Sequence, residues 1–222
     1  ISECDWSSDV CSSDLNCYMA QLRDVTVQGN RTLFRNNLER IGHAMAYEVS
    51  RTLNFSPKTI QTPLGVKEVE TYDDHIVVGT VLRAGLAFHE GFIDVFDQAD
   101  SAFVAAYREE GKKENLKIHL EYLAAPQLDG STFLMVDPML ATGGSLELAY
   151  KAFLNNGTPK KLHICVVIAA EEGIAHLQKC FPSDDVTLWT AAIDPCLNDD
   201  AYIVPGLGDA GDLSFGPKLS SK

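Results

Sequence analysis

Apolar residues recur along the chain with two different spacings, and the change between them predicts the order of helices and strands. In residues 34–53 they return every three or four positions, which predicts one side of a helix of about five turns: Phe34, Leu38, Ile41, Met45, Val49 and Leu53. Residues 54–65 contain Pro57 and Pro63 and break this spacing. We therefore expect a connecting loop there.

Short continuous apolar runs dominate the rest of the chain. They occupy residues 76–82, 132–136 and 162–170, each followed by a turn and a helical pattern, and residues 186–193 supply one more run. Residues 118–122 alternate apolar with polar positions, as in a half-exposed strand. Continuous apolar strands that alternate with helices are typical of a parallel sheet buried on both faces. The sequence therefore predicts an α/β fold with a mainly parallel sheet, helices on both faces and a small hood or tail region.

The first fifteen residues, ISECDWSSDVCSSDL, fit neither pattern. They contain no basic residue and no apolar stretch of the kind that secretory signals carry. Residues 4–15 resemble the translated reading frame of a sequencing adapter. We therefore predict that residues 1–15 are a non-native leader and that residues 16–222 form a single domain. A genuine disordered leader is the alternative.

The charge balance limits the classes of partner. Eighteen Lys and Arg residues face 31 Asp and Glu residues, a net charge of −13. Without the leader, which holds four of the acids, the balance is −9. Because an acidic chain repels phosphate backbones, we expect no nucleic-acid partner. No apolar run reaches the roughly 20 residues that cross a bilayer, so we expect no membrane partner either.

The cysteines and histidines outside the leader show no spacing typical of a metal site. The cysteines have no C-x-x-C pair, which favours neither a disulfide framework nor a metal centre and fits a reducing, cytoplasmic setting: Cys17, Cys165, Cys180 and Cys196. The histidines form no H-x-x-x-H pair, and we expect each to be a surface or half-buried residue: His43, His75, His89, His119, His163 and His176.

A turn rich in glycine and hydroxyl groups follows the predicted strand at residues 132–136. It reads Asp137, Pro138, Met139, Leu140, Ala141, Thr142, Gly143, Gly144 and Ser145. The glycines let the backbone approach an anion, the hydroxyls offer hydrogen bonds, and the next helix points its N-terminus at the same place. The segment lacks the lysine of a P-loop and the G-x-G-x-x-G of a dinucleotide site. An ordinary strand-to-helix turn is the alternative interpretation.

This DPMLATGGS segment resembles the phosphoribosyl-diphosphate (PRPP) signature of type I phosphoribosyltransferases, and in this form it is similar to that of the uracil phosphoribosyltransferase family. Three further segments agree in order. Residues 81–86 (VLRAGL) are similar to the family's pyrophosphate-contacting turn, residues 106–108 (AYR) to the start of its flexible loop, and residues 202–212 (YIVPGLGDAGD) to its uracil loop. The resemblance covers roughly residues 31–216 and implies a type I phosphoribosyltransferase fold.

The resemblance also implies roles for individual residues. PRPP would be bound by Arg83, Arg108, Asp209 and the nine residues from Asp137 to Ser145. Uracil would be held through backbone groups of Ile203, Gly208 and Ala210, with Asp209 beside it. Arg108 and Asp137 would act in catalysis by positioning and electrostatics. Mg²⁺ would arrive with the diphosphate, without a direct protein ligand.

The implied activity is transfer of the phosphoribosyl group from PRPP to uracil, giving UMP and diphosphate in pyrimidine salvage, by a cytoplasmic homo-oligomer. Two alternatives stay open. A phosphoribosyltransferase for another base is disfavoured by residues 202–212. A pyrimidine-sensing RNA-binding regulator on the same fold needs a basic face, which a balance of −9 does not favour.

Overall fold

The computed structural model describes residues 2–3, 14–108, 118–181 and 185–218. In chain order the elements are β1 (Ser2–Glu3), α1 (Asp14–Arg23), α2 (Arg31–Ser50), β2 (Phe55–Thr62), β3 (Gly65–Tyr72), β4 (Ile76–Leu82), α3 (Leu86–Ile93), β5 (Asp100–Arg108), β6 (Ile118–Ala124), β7 (Thr132–Leu140), α4 (Gly144–Phe153), β8 (Lys161–Ala170), α5 (Glu171–Cys180), β9 (Val186–Asp194), β10 (Cys196–Leu197), β11 (Ile203–Val204) and α6 (Ala210–Phe215). A 3₁₀ turn, Leu154–Asn156, follows α4.

The main sheet has the strand order β1-β9-β8-β7-β4-β5-β6 within the described residues. All of its neighbouring strands run parallel except β5 and β6, which pair antiparallel at one edge. The predicted fold class is therefore confirmed. The half-exposed strand expected at residues 118–122 is this edge strand β6.

Each central strand contributes side chains to two hydrophobic cores, one on each face of the sheet. On β4, Ile76 and Val78 belong to the core that α2 and α3 cover, whereas Val77 belongs to the core under α4 and α5. Successive side chains of a strand point to opposite faces, so a strand buried on both sides needs a continuous apolar run. The predicted helices on both faces are confirmed by these two cores.

Helix α2 follows the predicted apolar stripe closely. The Asn30 side chain accepts a hydrogen bond from the Leu33 N–H at 3.1 Å and caps the helix start. The buried side of the helix runs from Phe34 to Val49, and Leu53, beyond the helix end, is also buried.

The prediction of a loop at residues 54–65 is wrong. The segment forms β2 and the start of β3, a hairpin paired from Phe55 opposite Tyr72 to Thr62 opposite Gly65. Both of its faces are largely exposed, so it lacks the alternation that marks a half-buried strand. Pro57 is tolerated because a two-stranded ribbon has free edges where no N–H is needed.

Two other expectations need correction. His89 and His163 are almost completely buried, not surface or half-buried. The His163 Nδ1 accepts the Trp189 indole N–H at 3.0 Å, and the His89 Nε2 lies 3.0 Å from the Ser101 hydroxyl. Burial lowers the pKa of both histidines to about 4, so both are neutral core residues at neutral pH.

Part of the predicted leader lies within the described structure. Helix α1 begins at Asp14, and Leu15 is buried in the core, so the helix crosses the predicted boundary at residue 15. The non-native origin of residues 1–15 and the single domain at residues 16–222 stay predictions. Among the described helices, none is both long and apolar enough to cross a membrane.

Candidate active site

Strands β4 and β7 separate at their carboxyl ends and open a crevice. Their pairing ends at Thr80 opposite Val136, while β7 continues beside β8 as far as Leu140. The chain continues from β4 to β5 on one side and from β7 to β8 on the other. Such a switch point beyond the carboxyl ends of parallel strands is where open α/β sheets bind ligands.

The strand β7 is longer than predicted, which changes the role of the motif that follows it. Residues 137–140 belong to the strand, so the turn before α4 is only residues 141–143. Asp137 is 9% exposed, and its Oδ1 accepts the Met139 N–H at 3.1 Å. Its carboxylate is therefore held at the point where β4 and β7 diverge.

The short turn leads directly into α4 through Gly143. This glycine has a φ of +83°, a backbone conformation that other residues adopt at a cost, and a Cβ there would lie 2.8 Å from the His176 ring. The turn also packs on α5, because a Cβ on Gly173 would lie 2.3 Å from the Ala141 carbonyl oxygen. As the residue before α4, Gly143 offers no side-chain cap, so the first N–H groups of α4 suit an anion.

The turn after β4 forms the opposite wall. A Cβ on Gly85 would lie 1.9 Å from the Thr80 hydroxyl oxygen and 3.2 Å from the Val136 carbonyl oxygen, so glycine lets this turn lie against β7. The Thr80 hydroxyl donates to that same carbonyl at 2.9 Å. These buried contacts hold the turn after β4 against β7 at the point where the two strands stop pairing. The Leu82–Arg83 peptide bond in this wall is cis.

Arg83 joins the β4 turn to the C-terminal tail, which we define as residues 203–216. Its guanidinium donates to Asp212 Oδ1 at 3.1 Å and to the Gly216 carbonyl at 3.3 Å. The guanidinium and the carboxylate are each a little over one-third exposed. The tail that resembles a uracil loop therefore lies beside the turn that resembles a pyrophosphate-contacting turn.

The tail presents its predicted binding residues in different ways. Ile203 and Ala210 are buried, whereas Gly208 is exposed and has a φ of +92°. Asp209 caps α6, because its Oδ1 accepts the Asp212 N–H at 2.8 Å. The carboxylate expected to face PRPP thus also fixes the start of the last helix.

Three residues outside every recognised motif anchor the tail. The Arg23 guanidinium donates to both Asp194 oxygens, at 2.7 and 2.9 Å, and to the Gly206 carbonyl at 3.0 Å. The Gly206 N–H donates to Asp194 Oδ2 at 2.7 Å, and the Gln28 amide donates to the Leu207 carbonyl at 3.1 Å. No spacing in the sequence indicates these contacts, since the partners lie more than 170 residues apart or belong to different elements.

The electrostatics of this anchor favour an ionised Asp194. Burial alone raises the pKa of the carboxyl, but the hydrogen bonds from Arg23 and from the Gly206 N–H more than offset it, and the net pKa lies below its ordinary value. The residue is 5% exposed. The buried charge of Asp194 is stabilised by Arg23 and by the Gly206 N–H. Because Gly206 belongs to the tail, we expect the position of the tail to depend on Arg23.

The structure brings most of the predicted residues to one crevice. Arg83, Asp137 and the turn before α4 all lie at or just beyond the point where the β4–β7 pairing ends, and Arg83 contacts the tail. Arg108 is the last residue of β5, which runs parallel to β4 and ends at the same edge. The side chain of Arg108 and the charged loop expected at residues 108–115 lie outside the described part of the chain.

Comparisons with known proteins identify the family of this chain. The model of the uracil phosphoribosyltransferase family matches residues 12–217. A uracil phosphoribosyltransferase of Porphyromonas gingivalis is 48% identical over 205 residues, 92% of this chain and 94% of the relative. One of Pyrococcus furiosus is 38% identical over 201 residues, 89% and 84% of the two chains.

The fold has a solved counterpart as well. The structure of the AQ2163 protein of Aquifex aeolicus matches with a TM-score of 0.82 and 32% identity, covering 96% of this chain and 97% of that one. The resemblance noted in the sequence is thus borne out by a match over most of the chain. The chain belongs to the uracil phosphoribosyltransferase family.

Proposed function

We propose that this chain transfers the phosphoribosyl group of PRPP to uracil and releases UMP and diphosphate, a step of pyrimidine salvage. The observation that carries the proposal is the crevice itself. A turn suited to a phosphate precedes α4 at this edge of the sheet. Arg83, in the turn after β4, contacts Asp212 of the tail that is suited to a base. Family membership supplies the identity of the two substrates.

PRPP would occupy the β4–β7 side of the crevice. The first N–H groups of α4, with the hydroxyls of Thr142 and Ser145, suit the 5′-phosphate because they lie where the partial positive charge of the helix N-terminus is strongest. The Asp137 carboxylate suits the ribose hydroxyls as an acceptor. Arg83 and Arg108 would contact the diphosphate, for which a guanidinium fork is well matched.

The reaction asks the protein mainly for positioning and charge stabilisation. The bond from the anomeric carbon to diphosphate breaks, the bond from that carbon to uracil N1 forms, and the N1 proton is lost. The anomeric carbon gains oxocarbenium character while negative charge grows on the leaving group. Fixed ligands and arginine side chains serve this step, and no nucleophilic side chain is required.

Mg²⁺ is expected to enter on the diphosphate rather than on a protein cage. Mg²⁺ prefers oxygen ligands and usually keeps several waters together with substrate phosphates. The Asp137 carboxylate could accept a hydrogen bond from a water on such an ion. Because Pro138 follows it instead of a second acid, the segment offers no carboxylate pair to chelate the ion directly. The ion would supply neutralisation of the leaving group, and the side chains of the crevice would orient it.

Uracil would be read by the backbone of the tail. Its edge presents an acceptor, a donor and an acceptor, whereas cytosine reverses the last two. Backbone groups of Ile203, Gly208 and Ala210 have fixed polarity, so the wrong base leaves buried groups unpaired at about 1–3 kcal/mol each. Asp209, at the start of α6, would lie between base and PRPP.

Self-association is part of the proposal. The hairpin of β2 and β3 exposes apolar side chains on a two-stranded ribbon, which is marginally stable alone in water: Phe55, Ile60, Leu64 and Val66. A second copy of the chain would cover them. Sedimentation analysis of the wild type and of Val66→Asp tests this, and a wild type that stays monomeric at high concentration would contradict it.

The cellular setting is also a proposal. The cysteines of the described part are free: Cys17, Cys165, Cys180 and Cys196. Free thiols favour a reducing, cytoplasmic location. A net charge of −13 favours small-molecule substrates over nucleic acid.

The direct test is diphosphate release from PRPP and Mg²⁺ with one base offered at a time. Uracil, cytosine, orotate and hypoxanthine form the panel, and product identity is checked by chromatography. We expect turnover with uracil, since its acceptor-donor-acceptor edge complements the proposed backbone groups. Turnover with another base and none with uracil would overturn the assignment.

A further inference from the structure

Helices α4 and α5 bring three metal-ligating side chains together beside the turn before α4. The His176 Nε2 lies 2.8 Å from Glu147 Oε2, and the Cys180 Sγ lies 3.4 Å from the same nitrogen. The three ligand atoms all lie within 4.8 Å of one another. We propose that Glu147, His176 and Cys180 bind Zn²⁺ and that the ion ties α4 to α5.

The spacing of the three ligands suits a tetrahedral ion. His176 and Cys180 are four residues apart, so both lie on one side of α5, and Glu147 faces them from α4. A tetrahedral ion at about 2.0–2.3 Å from its ligands holds them roughly 3.3–3.8 Å apart. The observed separations of 2.8 and 3.4 Å need only small side-chain rotations to reach that geometry. All three residues are partly exposed, which leaves an entry path and a fourth position for water.

The mixture of donors selects the kind of cation. A thiolate, an imidazole and a carboxylate suit Zn²⁺, whereas Mg²⁺ prefers oxygen ligands alone. The ion is therefore distinct from the Mg²⁺ expected to travel with diphosphate. A second cluster in the described residues, Glu39, His43 and Asp94, has no thiol and is more exposed, so it lacks this selectivity.

Lys151 supports the site rather than blocking it. Its ammonium group bonds Glu147 Oε1, whereas His176 contacts the other oxygen, Oε2. An ion that takes Oε2 leaves the lysine contact in place. Such an outer hydrogen bond holds a ligating carboxylate in a fixed orientation.

The location gives the site a structural role next to the turn before α4. The His176 ring lies 2.8 Å from the position of a Cβ on Gly143, so this ring forms the back wall of the turn. Binding to α4 and α5 together adds a metal cross-link to the packing and the Glu147–His176 contact that already join the two helices. An ion that binds the folded chain and not the unfolded one raises the melting temperature.

Cobalt(II) is the most informative probe, because its colour reports the ligands. The metal-free full chain is titrated with Co²⁺ in excess Mg²⁺ and without PRPP. We expect visible bands of tetrahedral cobalt and a near-ultraviolet thiolate charge-transfer band that saturate at one equivalent, disappear on adding Zn²⁺, and are lost in Cys180→Ser and His176→Gln. Cys196→Ser, at an exposed cysteine outside the cluster, is the matched control and keeps both bands.

Thermal unfolding supplies the second readout. Stoichiometric Zn²⁺ raises the melting temperature of the wild type and of Cys196→Ser, and leaves Cys180→Ser and His176→Gln unchanged. Circular dichroism without metal verifies that each variant is folded. The proposal fails if the wild type shows no thiolate band, or if the band survives in Cys180→Ser.

Discussion

The turn before α4 and the C-terminal tail line the same crevice but are held in place by different forces. The turn is wedged among apolar and backbone groups, with Leu140 fully buried and Gly173 packed against the Ala141 carbonyl. The tail is tied by charged and polar groups, above all by Arg23 and Asp194. Apolar packing spreads its stabilisation over many contacts, whereas a buried ion pair concentrates it in two side chains.

The difference bears on how each half of the site responds to change. The position of the turn follows from the packing of β7, α4 and α5, so only a change that adds atoms inside it disturbs it strongly. The tail depends on a buried carboxylate, and removing its arginine partner costs about 2 kcal/mol. We therefore expect PRPP binding and uracil binding to be damaged by separate sets of substitutions.

The largest effect is expected from Gly143→Ala. The new Cβ would lie 2.8 Å from His176, and a φ of +83° costs a non-glycine residue about 1–2 kcal/mol. We expect kcat/KM for PRPP to fall about 100-fold, equivalent to about 2.7 kcal/mol. Gly130→Ala is the matched control, because Gly130 has a φ of +71° with no atom within 4 Å of the added Cβ. An equal loss of activity in both variants would attribute the effect to backbone strain alone.

The next largest effect is expected from Arg23→Met. This change leaves the buried Asp194 carboxylate with only the Gly206 N–H among the contacts described above, at a cost of about 2 kcal/mol. We expect kcat/KM for uracil to fall about 30-fold and the melting temperature to drop by roughly 4–8 °C. Arg51→Met, at an arginine that is 67% exposed, serves as control and should change neither quantity measurably. If Arg23→Met kept the uracil kinetics of the wild type, uracil binding by the tail would not depend on Arg23.

Acid pH should remove the contribution of Asp194 gradually. Its pKa is lower in the folded protein than in the unfolded chain, so its stabilisation is present above the ordinary pKa near 3.8 and is lost as the pH falls through the folded value. The free energy of unfolding in urea, measured for wild type and Asp194→Asn from pH 7 to pH 3, reports this. We expect the free energy of unfolding of the wild type to exceed that of Asp194→Asn by about 2 kcal/mol at pH 7, and this difference to narrow toward pH 3. A difference that is constant with pH would contradict the ionised anchor.

The smallest effect is expected where the tail meets the turn after β4. Asp212→Asn weakens the contact with Arg83, but both groups are over one-third exposed, and such pairs contribute about 0.2–1 kcal/mol. We therefore expect kcat/KM for PRPP to change less than about fivefold. A loss of more than tenfold would mean that PRPP turnover depends on the Arg83–Asp212 contact more than on the packing of each wall of the crevice.

The sequence predicted where the turn lies, although not its extent, because the relevant signals are local. The apolar run, the glycines and the hydroxyls lie within a few residues of one another, and the packing of β7 follows from that run. The tail was identified by resemblance, but its anchor was not, since Arg23 and Asp194 are ordinary surface-type residues until folding buries them together. The same reason applies to Glu147, His176 and Cys180, which come from two helices.

Two errors in the elements have physical causes. The hairpin at residues 55–72 is exposed on both faces, so burial left no pattern in its sequence. Strand β7 runs on through Asp137 and Pro138 because β8 continues to pair with it after β4 has ended its pairing. In both cases the pairing partner, not the local sequence, decided the structure.

The central claim is that the turn before α4 and the tail are held in place independently. Titration calorimetry with PRPP and Mg²⁺, in the absence of a base, tests it most directly. Wild type, Arg23→Met and Gly143→Ala are compared after circular dichroism shows each to be folded. We predict that Arg23→Met binds PRPP within about threefold of wild type, whereas Gly143→Ala binds it at least tenfold more weakly. Equal weakening in both variants would show that the turn and the tail act as one unit and would contradict the account.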